Sequence, residues 1–378
     1  MVNRRTAKMM DRRLSDKKAL ILLGARQTGK TTFLKKYLKG KKDCLWWNGD
    51  NSDIRKILKE PNTSMLKRLI GRSKFLIIDE AQRIEDIGIC IKLIIDEIPS
   101  VKVIATGSSS FELAGKLNEP LTGRKWEFKM FPLSYAEMID HHAYLEEKRM
   151  FEQRMVYGYY PEVVSSPGEE KEVLEELINS SLYKDILNLD KILKPQALEK
   201  LVQALAFQIG HQVSYSELGQ ITGLDNQTVE KYIDLLEKAF IIFRLNSFSR
   251  NLRNELKKSR KIYFYDNGLR NAVIRQFGPI HLRQDMGELW ENFMISERQK
   301  HLEQNRVYVN KFFWRTKDQQ EIDYIEELNG HFDLFEFKWN PRRKARLPGS
   351  FKQAYPNHSF SVVTPENHDT FVLDEIVK

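Results

Sequence analysis

Cysteine is almost missing from this chain: its 378 residues hold two, Cys44 and Cys90. Two thiols build neither a disulfide framework nor a four-ligand zinc site, and they fit a reducing compartment, so a cytoplasmic location is expected. Proline and glycine are sparse too, at 12 and 19 residues, which excludes collagen-like and low-complexity chains. No stretch of about 18 uncharged apolar residues occurs. The basic opening MVNRRTAKMMDRRLSDKK is followed by no apolar segment, so neither an export signal nor a membrane partner is expected. His281, His301 and His331 share no ligand spacing and read as ordinary polar side chains.

Apolar and charged residues are plentiful, at 41% and 30%. Real cores are therefore expected, and at roughly 150 residues per domain the length predicts two to three of them. The formal charge of +9 is unevenly spread. Residues 1–18 carry seven basic and two acidic side chains, and residues 250–261 carry six and one, each net +5. A local excess of this kind points to a polyanion such as DNA more than to general solubility.

From Ala19 to about residue 140, short apolar runs (ALILLG, CLWWN, FLIIDE, VKVIATGS) alternate with amphipathic segments. That βαβ rhythm predicts a parallel sheet covered on both faces. Gly24, Ala25, Arg26, Gln27, Thr28, Gly29, Lys30 and Thr31 spell G-x-x-x-x-G-K-[ST] between the first run and a helical pattern. Two glycines let successive N–H groups turn inward, and the helix N-terminus adds partial positive charge, which together cradle a phosphate. Lys30 is expected to neutralise β- and γ-phosphate oxygens and Thr31 to complete a Mg2+ shell.

Phe75–Glu80, FLIIDE, is an apolar strand tipped by two carboxylates. Asp79 is expected to hold the metal and Glu80 to polarise the attacking water, since hydrolysis needs a base beside the metal and not on it. Thr106 or Ser108, after the next strand, is expected either to reach the γ-phosphate or to close a turn. Arg124, in LTGRKWEF, fits a charge-stabilising arginine, in its own chain or across to a second copy, and equally a solvated one.

The segments GARQTGKTT, FLIIDEAQ, ATGSSS, LTGRKWEF, FPLSYAEM, GYYPEVV, YDNGLR, WRTKDQQEIDYI and FEFKW resemble bacterial and archaeal AAA-type ATPases that end in a conserved domain of unknown function. The resemblance spans nearly the whole chain. It implies ATP binding through Gly24 to Thr32, hydrolysis by Asp79 and Glu80, and a sensor between Thr106 and Ser109.

Beyond residue 141 the pattern turns helical. Ser214 and Glu217 stand at capping-box spacing, with Leu218, Ile221 and Leu224 expected on one face. Gly223 breaks that helix, and Asp225 or Asn226 caps a second one. Its Val229, Ile233, Leu235 and Leu236 are expected inward and its Asn226, Gln227, Thr228 and Lys231 outward. The run Ala239 to Leu245 follows as a wing strand. The spacing resembles winged-helix domains, which read DNA or contact protein.

Near the C-terminal end, EIDYIEEL and HFDLFEFKW flank Asn329-Gly330, a two-residue hairpin signal. Leu328 facing His331 sets a register with Asp323 opposite Glu336 and Glu321 opposite Lys338. Opposed carboxylates need solvent, a proton or a metal. Asp323, Glu336 and Lys338 resemble the PD-(D/E)xK nuclease core, with Glu288 where that fold's first helix contributes a further acid. The resemblance implies metal at Glu288, Asp323 and Glu336; the alternative is a surface hairpin in which Lys338 pairs with Glu321. The expectation is an α/β chain: a P-loop ATPase domain over residues 1–140, a helical and winged-helix region over 141–250, and a nuclease-like domain over 251–378. ATP, Mg2+ and possible contact with DNA, a protein partner or a second copy complete it.

Overall fold

A computed structural model of the chain describes residues 1–108, 120–179, 194–249 and 259–373. The chain divides into two compact units, residues 1–132 with 238–240, and residues 133–237 with 241–378.

The first unit is built on five parallel strands: β1 (Ala19–Leu23), β2 (Cys44–Asn48), β3 (Phe75–Asp79), β4 (Lys102–Gly107) and β5 (Lys125–Lys129), in the order β2-β3-β4-β1-β5. The four apolar runs became the first four strands: β1, β3 and β4 are buried almost throughout, as continuous apolar sequence suits, while β2, at the edge of the sheet, buries only Trp47. β5 was missed. Its sequence, Lys-Trp-Glu-Phe-Lys, is a half-buried edge strand whose single buried side chain is Phe128, so it gives no apolar run to detect.

The basic N-terminus is absorbed into this unit. A helix over Thr6–Asp11 puts Met9 and Met10 into a core with Leu20, Leu22, Phe33, Leu34, Ile77 and Phe128. Lys102 donates to the carbonyls of Arg13 at 2.7 Å and Lys18 at 2.8 Å and to that of Asp16. Arg13 and Lys18 lie over the Trp126 ring. Two of the seven basic side chains of residues 1–18, Arg13 and Lys18, thus have a structural partner in Trp126.

The second unit opens with helices, among them Tyr135–His142, Phe151–Tyr157 and Pro195–Phe207. It continues into a mixed seven-stranded sheet of β6 (Gln212–Val213), β7 (Ile242–Ser247), β8 (Arg260–Phe264), β9 (Asn310–Arg315), β10 (Glu321–Leu328), β11 (His331–Phe337) and β12 (His358–Val363). Their order is β12-β11-β10-β9-β7-β8-β6. A 20-residue helix, Met286–Asn305, is buried along most of its length.

The second helix pair forms as its caps predict. Ser214 accepts from Glu217 N, and Gly223 ends the first helix at φ 71°. Asp225 takes both the N–H and the hydroxyl of Thr228. Val229, Ile233, Leu235 and Leu236 are buried, and Asn226, Gln227 and Lys231 are exposed. Ile221 departs from expectation: it is 50% exposed while Leu218 and Leu224 are buried. The run after this pair becomes β7, which pairs with β8 and also, in parallel, with β9. Of the basic run 250–261, residues 250–258 lie outside the described residues. Arg260 pairs with Glu230, and Lys261 is buried.

Lys102→Met should cost about 2 kcal/mol, because a charged donor is lost and three carbonyls are left without it. Urea unfolding that shows no shift in the first transition would contradict that anchoring role.

Candidate functional site

The carboxyl ends of β1, β3 and β4 lie side by side, since Leu23 pairs with Gly107 and Ile78 with Ala105. Open parallel sheets bind ligands at that edge. Residues 24–29 leave β1 there and curl before the helix Lys30–Tyr37. Gln27 and Gly29 take the left-handed region at φ 57° and 85°, and a Cβ on Gly24 would meet Met130 O at 2.1 Å. Thr28 Oγ1 donates to Ala25 O at 2.8 Å, tying the curl to itself. The buried Lys30 reaches back to the carbonyls of Gly24 and Ala25, both at 2.8 Å. Arg26 is half-buried, and Gln27 and Thr32 are exposed.

Asp79 is 7% exposed at the tip of β3. Thr31 Oγ1 donates to its Oδ2 at 2.8 Å, and Thr106 Oγ1 to its Oδ1 at 2.5 Å. Thr106 also accepts from Glu80 N at 3.1 Å. It is fully buried, so it positions Asp79 and Glu80 rather than reaching outward as a sensor. Glu80 sits at φ 49°, a costly conformation for a residue with a Cβ. Its carboxylate accepts from Gln82 Nε2 at 2.6 Å, and the same amide donates to Ser108 Oγ at 2.9 Å. Gln82 was missed; its only signal is the place two residues beyond Glu80. Ser109 lies outside the described residues.

Arg124 is not brought to this edge within its own chain. Its carbonyl accepts from Ala19 N, at the amino end of β1. At about 3.3 Å per residue, the length of β1 puts the phosphate loop roughly 15 Å away. Its guanidinium donates to Asp96 at 2.9 Å.

In the second unit the hairpin turns at Asn329-Gly330, with φ 54° and 80°, and the register holds from Leu328/His331 to Tyr324/Phe335. Beyond that, Asp323 Oδ2 accepts from Phe337 N at 2.9 Å. Asp323 and Glu336 are 9% and 8% exposed, so this end is no surface hairpin. Lys338 lies 2.8 Å from Glu336 and 3.7 Å from Asp323. Glu321, expected opposite Lys338, instead contacts Lys261 at 2.7 Å and Arg315 at 3.5 Å.

A cleft of about 560 Å³ opens here, lined by Lys261, Glu288, Glu291, Arg315, Asp323 and Lys338 among others. Glu288 is on its wall, but Glu291, one turn further along the helix, joins the network. It accepts from Lys261 at 3.0 Å and from Tyr263 at 2.5 Å. Glu291 and Lys261 were missed because each falls in a pattern that reads as a solvated face or charge run.

Burial pushes Glu291 up to about 7, with the Asp323 charge adding to it against Lys261. Burial and then Asp323 push Glu336 up to about 7 against Lys338. Burial would discharge Lys261, but Glu291, Asp323 and Glu321 outweigh it and hold it charged. Among the described residues no three His, Cys, Asp or Glu side chains are grouped to hold a metal ion. The carboxylates here are met by lysines and a backbone N–H, an arrangement that does not fit the three-acid metal site expected at Glu288, Asp323 and Glu336.

Residues 16–139 match the family model of an AAA domain. Residues 148–279 match that of a domain of unknown function (DUF8612), and residues 286–377 that of another (DUF4143). An uncharacterized protein of Mycobacterium tuberculosis is 26% identical over 343 residues, 89% of this chain and 74% of that one. Another, of Methanocaldococcus jannaschii, is 22% identical over 335 residues, 83% and 73% of the two chains. A Walker-type ATPase of Pyrococcus abyssi superposes with a TM-score of 0.50 at 14% identity, covering 72% of this chain and 96% of that chain. The fold is that of P-loop ATPases, followed by helices and a mixed sheet. No described helix is long and apolar enough to cross a membrane.

Glu291 and Glu336 titrate well above the ordinary carboxylate value of 4.5. Between about pH 4.5 and 7 the folded chain therefore holds protons that the unfolded chain has lost, so stability should fall as pH rises through that window. Glu336→Gln should make the fall in melting temperature shallower; an unchanged slope would contradict the assignment.

Proposed function

We propose that the chain is a Mg2+-dependent ATPase whose C-terminal unit grips a nucleic-acid strand. The observation that carries the ATPase reading is the pair of hydroxyls, Thr31 and Thr106, closed on the two oxygens of Asp79 beside a curled backbone. Thr31 and Asp79 are the oxygen ligands a hard cation prefers, and the ion would supply Lewis-acid charge at the β- and γ-phosphates. The N–H groups of residues 24–31 and the helix start favour a bound anion. Lys30, now spent on two neutral carbonyls, has a stronger partner in a phosphate oxygen. Gln82 and the Glu80 backbone hold the Glu80 carboxylate to one side of Asp79, placed to take a proton from water. Arg124 takes no part within its own chain.

The nucleic-acid reading rests on two features of the second unit. The order helix Pro195–Phe207, β6, helix Tyr215–Thr222, helix Asn226–Lys238, β7, β8, with β8 paired to both β6 and β7, resembles that of a winged helix, although β7 also pairs in parallel with β9. The cleft is lined by Lys261, Arg315, Lys338 and Arg343 together with Glu288, Glu291, Glu321 and Asp323, so a backbone phosphate would compete with these carboxylates for the cations. The Asp323, Glu336 and Lys338 set resembles a phosphodiester-cleaving core, but among the described residues no three acids are grouped to hold a metal ion, so we assign no cleavage step to it. The helix expected to read DNA carries Glu230, Asp234 and Glu237 against Lys231 and Lys238, so the grip is placed at the cleft rather than on that helix.

Lys30→Ala should abolish ATP hydrolysis. Glu80→Gln should keep nucleotide binding and lose on the order of 10²-fold or more in turnover; hydrolysis at the wild-type rate would remove Glu80 as the base. Plasmid incubated with Mg2+ or Mn2+, with and without ATP, should stay intact, and cleavage lost in Asp323→Ala would overturn the reading of a cleft that binds without cutting.

A further inference from the structure

The backbone at Glu80 has little freedom of its own. Its N–H is taken by Thr106 Oγ1 at 3.1 Å and its carbonyl by Arg83 N at 3.0 Å, and the carbonyl of Asp79 before it is held by Gly49 N at 2.8 Å. What remains to be set is the side-chain rotamer, and Gln82 Nε2, 2.6 Å from Glu80 Oε2, holds it. A carboxylate only accepts, so the amide must turn its nitrogen there, and that nitrogen has a second proton to place. It goes to Ser108 Oγ at 2.9 Å. Gln82 is 3% exposed, in a three-residue 3-10 turn that begins directly after Glu80, so both bonds form where little water competes.

Ser108 joins this pair to the phosphate loop. It directly follows Gly107, the last residue of β4, whose carbonyl accepts from the N–H of Gly24, the first residue of the loop, at 3.3 Å. One nitrogen thus has two acceptors: the base proposed for hydrolysis, and a hydroxyl fixed beside the loop. A hydroxyl that accepts from an amide keeps its own proton to donate. Thr106 spends its proton on Asp79, whereas Ser108 is half-buried and open to a ligand on one side.

We propose that Gln82 is a positioning residue that couples the filling of the phosphate loop by a nucleoside triphosphate to the placement of Glu80, with Ser108 as the group that gives its proton to a terminal phosphate oxygen. Donating that proton makes the hydroxyl a better acceptor, because bonds in a chain polarise one another, and the amide is held more firmly between its two oxygens. A diphosphate ends one group short and leaves this chain without its last acceptor. Gln82 acts through Glu80 and is assigned no contact with nucleotide. The inference rests on the ATPase reading and adds to it a route by which the base answers to triphosphate and not to diphosphate.

The test uses the full chain, with steady-state ATP hydrolysis and ADP affinity measured on the same preparations. Gln82→Met keeps the length of the side chain and loses both amide protons; Ser108→Ala loses the hydroxyl. Each should lower kcat about ten- to a hundredfold, the range of one lost hydrogen bond to a charged group. ADP affinity in both, and KM for ATP in Gln82→Met, should stay within about twofold of wild type, a split that loss of packing alone does not give. The double variant should lose little more than the worse of the two single variants, since both act through one nitrogen; independent effects would multiply. Wild-type kcat in Gln82→Met, or multiplied losses in the double variant, overturns the coupling and leaves the ATPase reading standing. If Gln82→Met loses its fold and with it ADP binding, Ser108→Ala decides: wild-type kcat there overturns the coupling. A wild type that binds ADP and ATP but hydrolyses none overturns both.

Discussion

The carboxylate of Asp79, sunk at the end of β3, is the constraint on which the nucleotide site turns. An ionised group that is 7% exposed is tolerable only when its oxygens are met. Here each oxygen takes a hydroxyl, one from the helix after β1 and one from the end of β4. Those two bonds tie three neighbouring elements of the sheet edge to one point. Thr106 then passes the constraint on through the Glu80 N–H, and Gln82 passes it on to the Glu80 carboxylate. The base proposed for hydrolysis is thus placed by the same network that presents the metal ligands, and its left-handed backbone is a local cost that the network carries.

Buried charge also organises the second unit, in a different way. The helix Met286–Asn305 buries Glu297, Arg298 and Lys300 and half-buries Glu291, and each has an opposite charge in reach. Arg298 holds Glu326 through two bonds at 2.8 Å, Lys300 holds Glu297 at 2.7 Å, and Lys261 holds Glu291 at 3.0 Å. Such pairs return little net stability after desolvation, but misplacing one leaves an unpaired charge inside. They therefore favour a single register of helix against sheet. Around the cleft the pairing is incomplete, with Glu291, Asp323 and Glu336 facing Lys261 and Lys338, and two of the carboxyls are pushed up to about 7. Such shifts arise both in structural ion-pair networks and in sites built for chemistry.

The basic excess that first suggested a polyanion is partly spent internally. Arg13, Lys18, Arg260 and Lys261 are held by aromatic rings or carboxylates. Composition counts charges without saying which are free. Beside the cleft, Lys338 and Arg315 are likewise met by Glu336 and Glu321, and Arg315 and Arg343, unlike Lys338, attract no notice in the sequence.

What the chain declares by itself is local. A glycine that no side chain can replace, a run of apolar residues long enough for a buried strand, Ser214 and Asp225 as helix caps and Asn329-Gly330 as a turn each act within a few residues. The phosphate loop, four of five strands of the first sheet, the helix pair and the hairpin register were therefore legible in advance. Tertiary structure decided what depends on distance across the chain. It set Thr106 against Asp79 instead of outward, and put Arg124 at the far end of β1. It also drew Lys261 and Glu291 into the acidic cleft and left Glu288 on its wall. The physical reason is that a side chain's partner is chosen by burial and charge balance in three dimensions, and neither quantity is a property of neighbours in sequence.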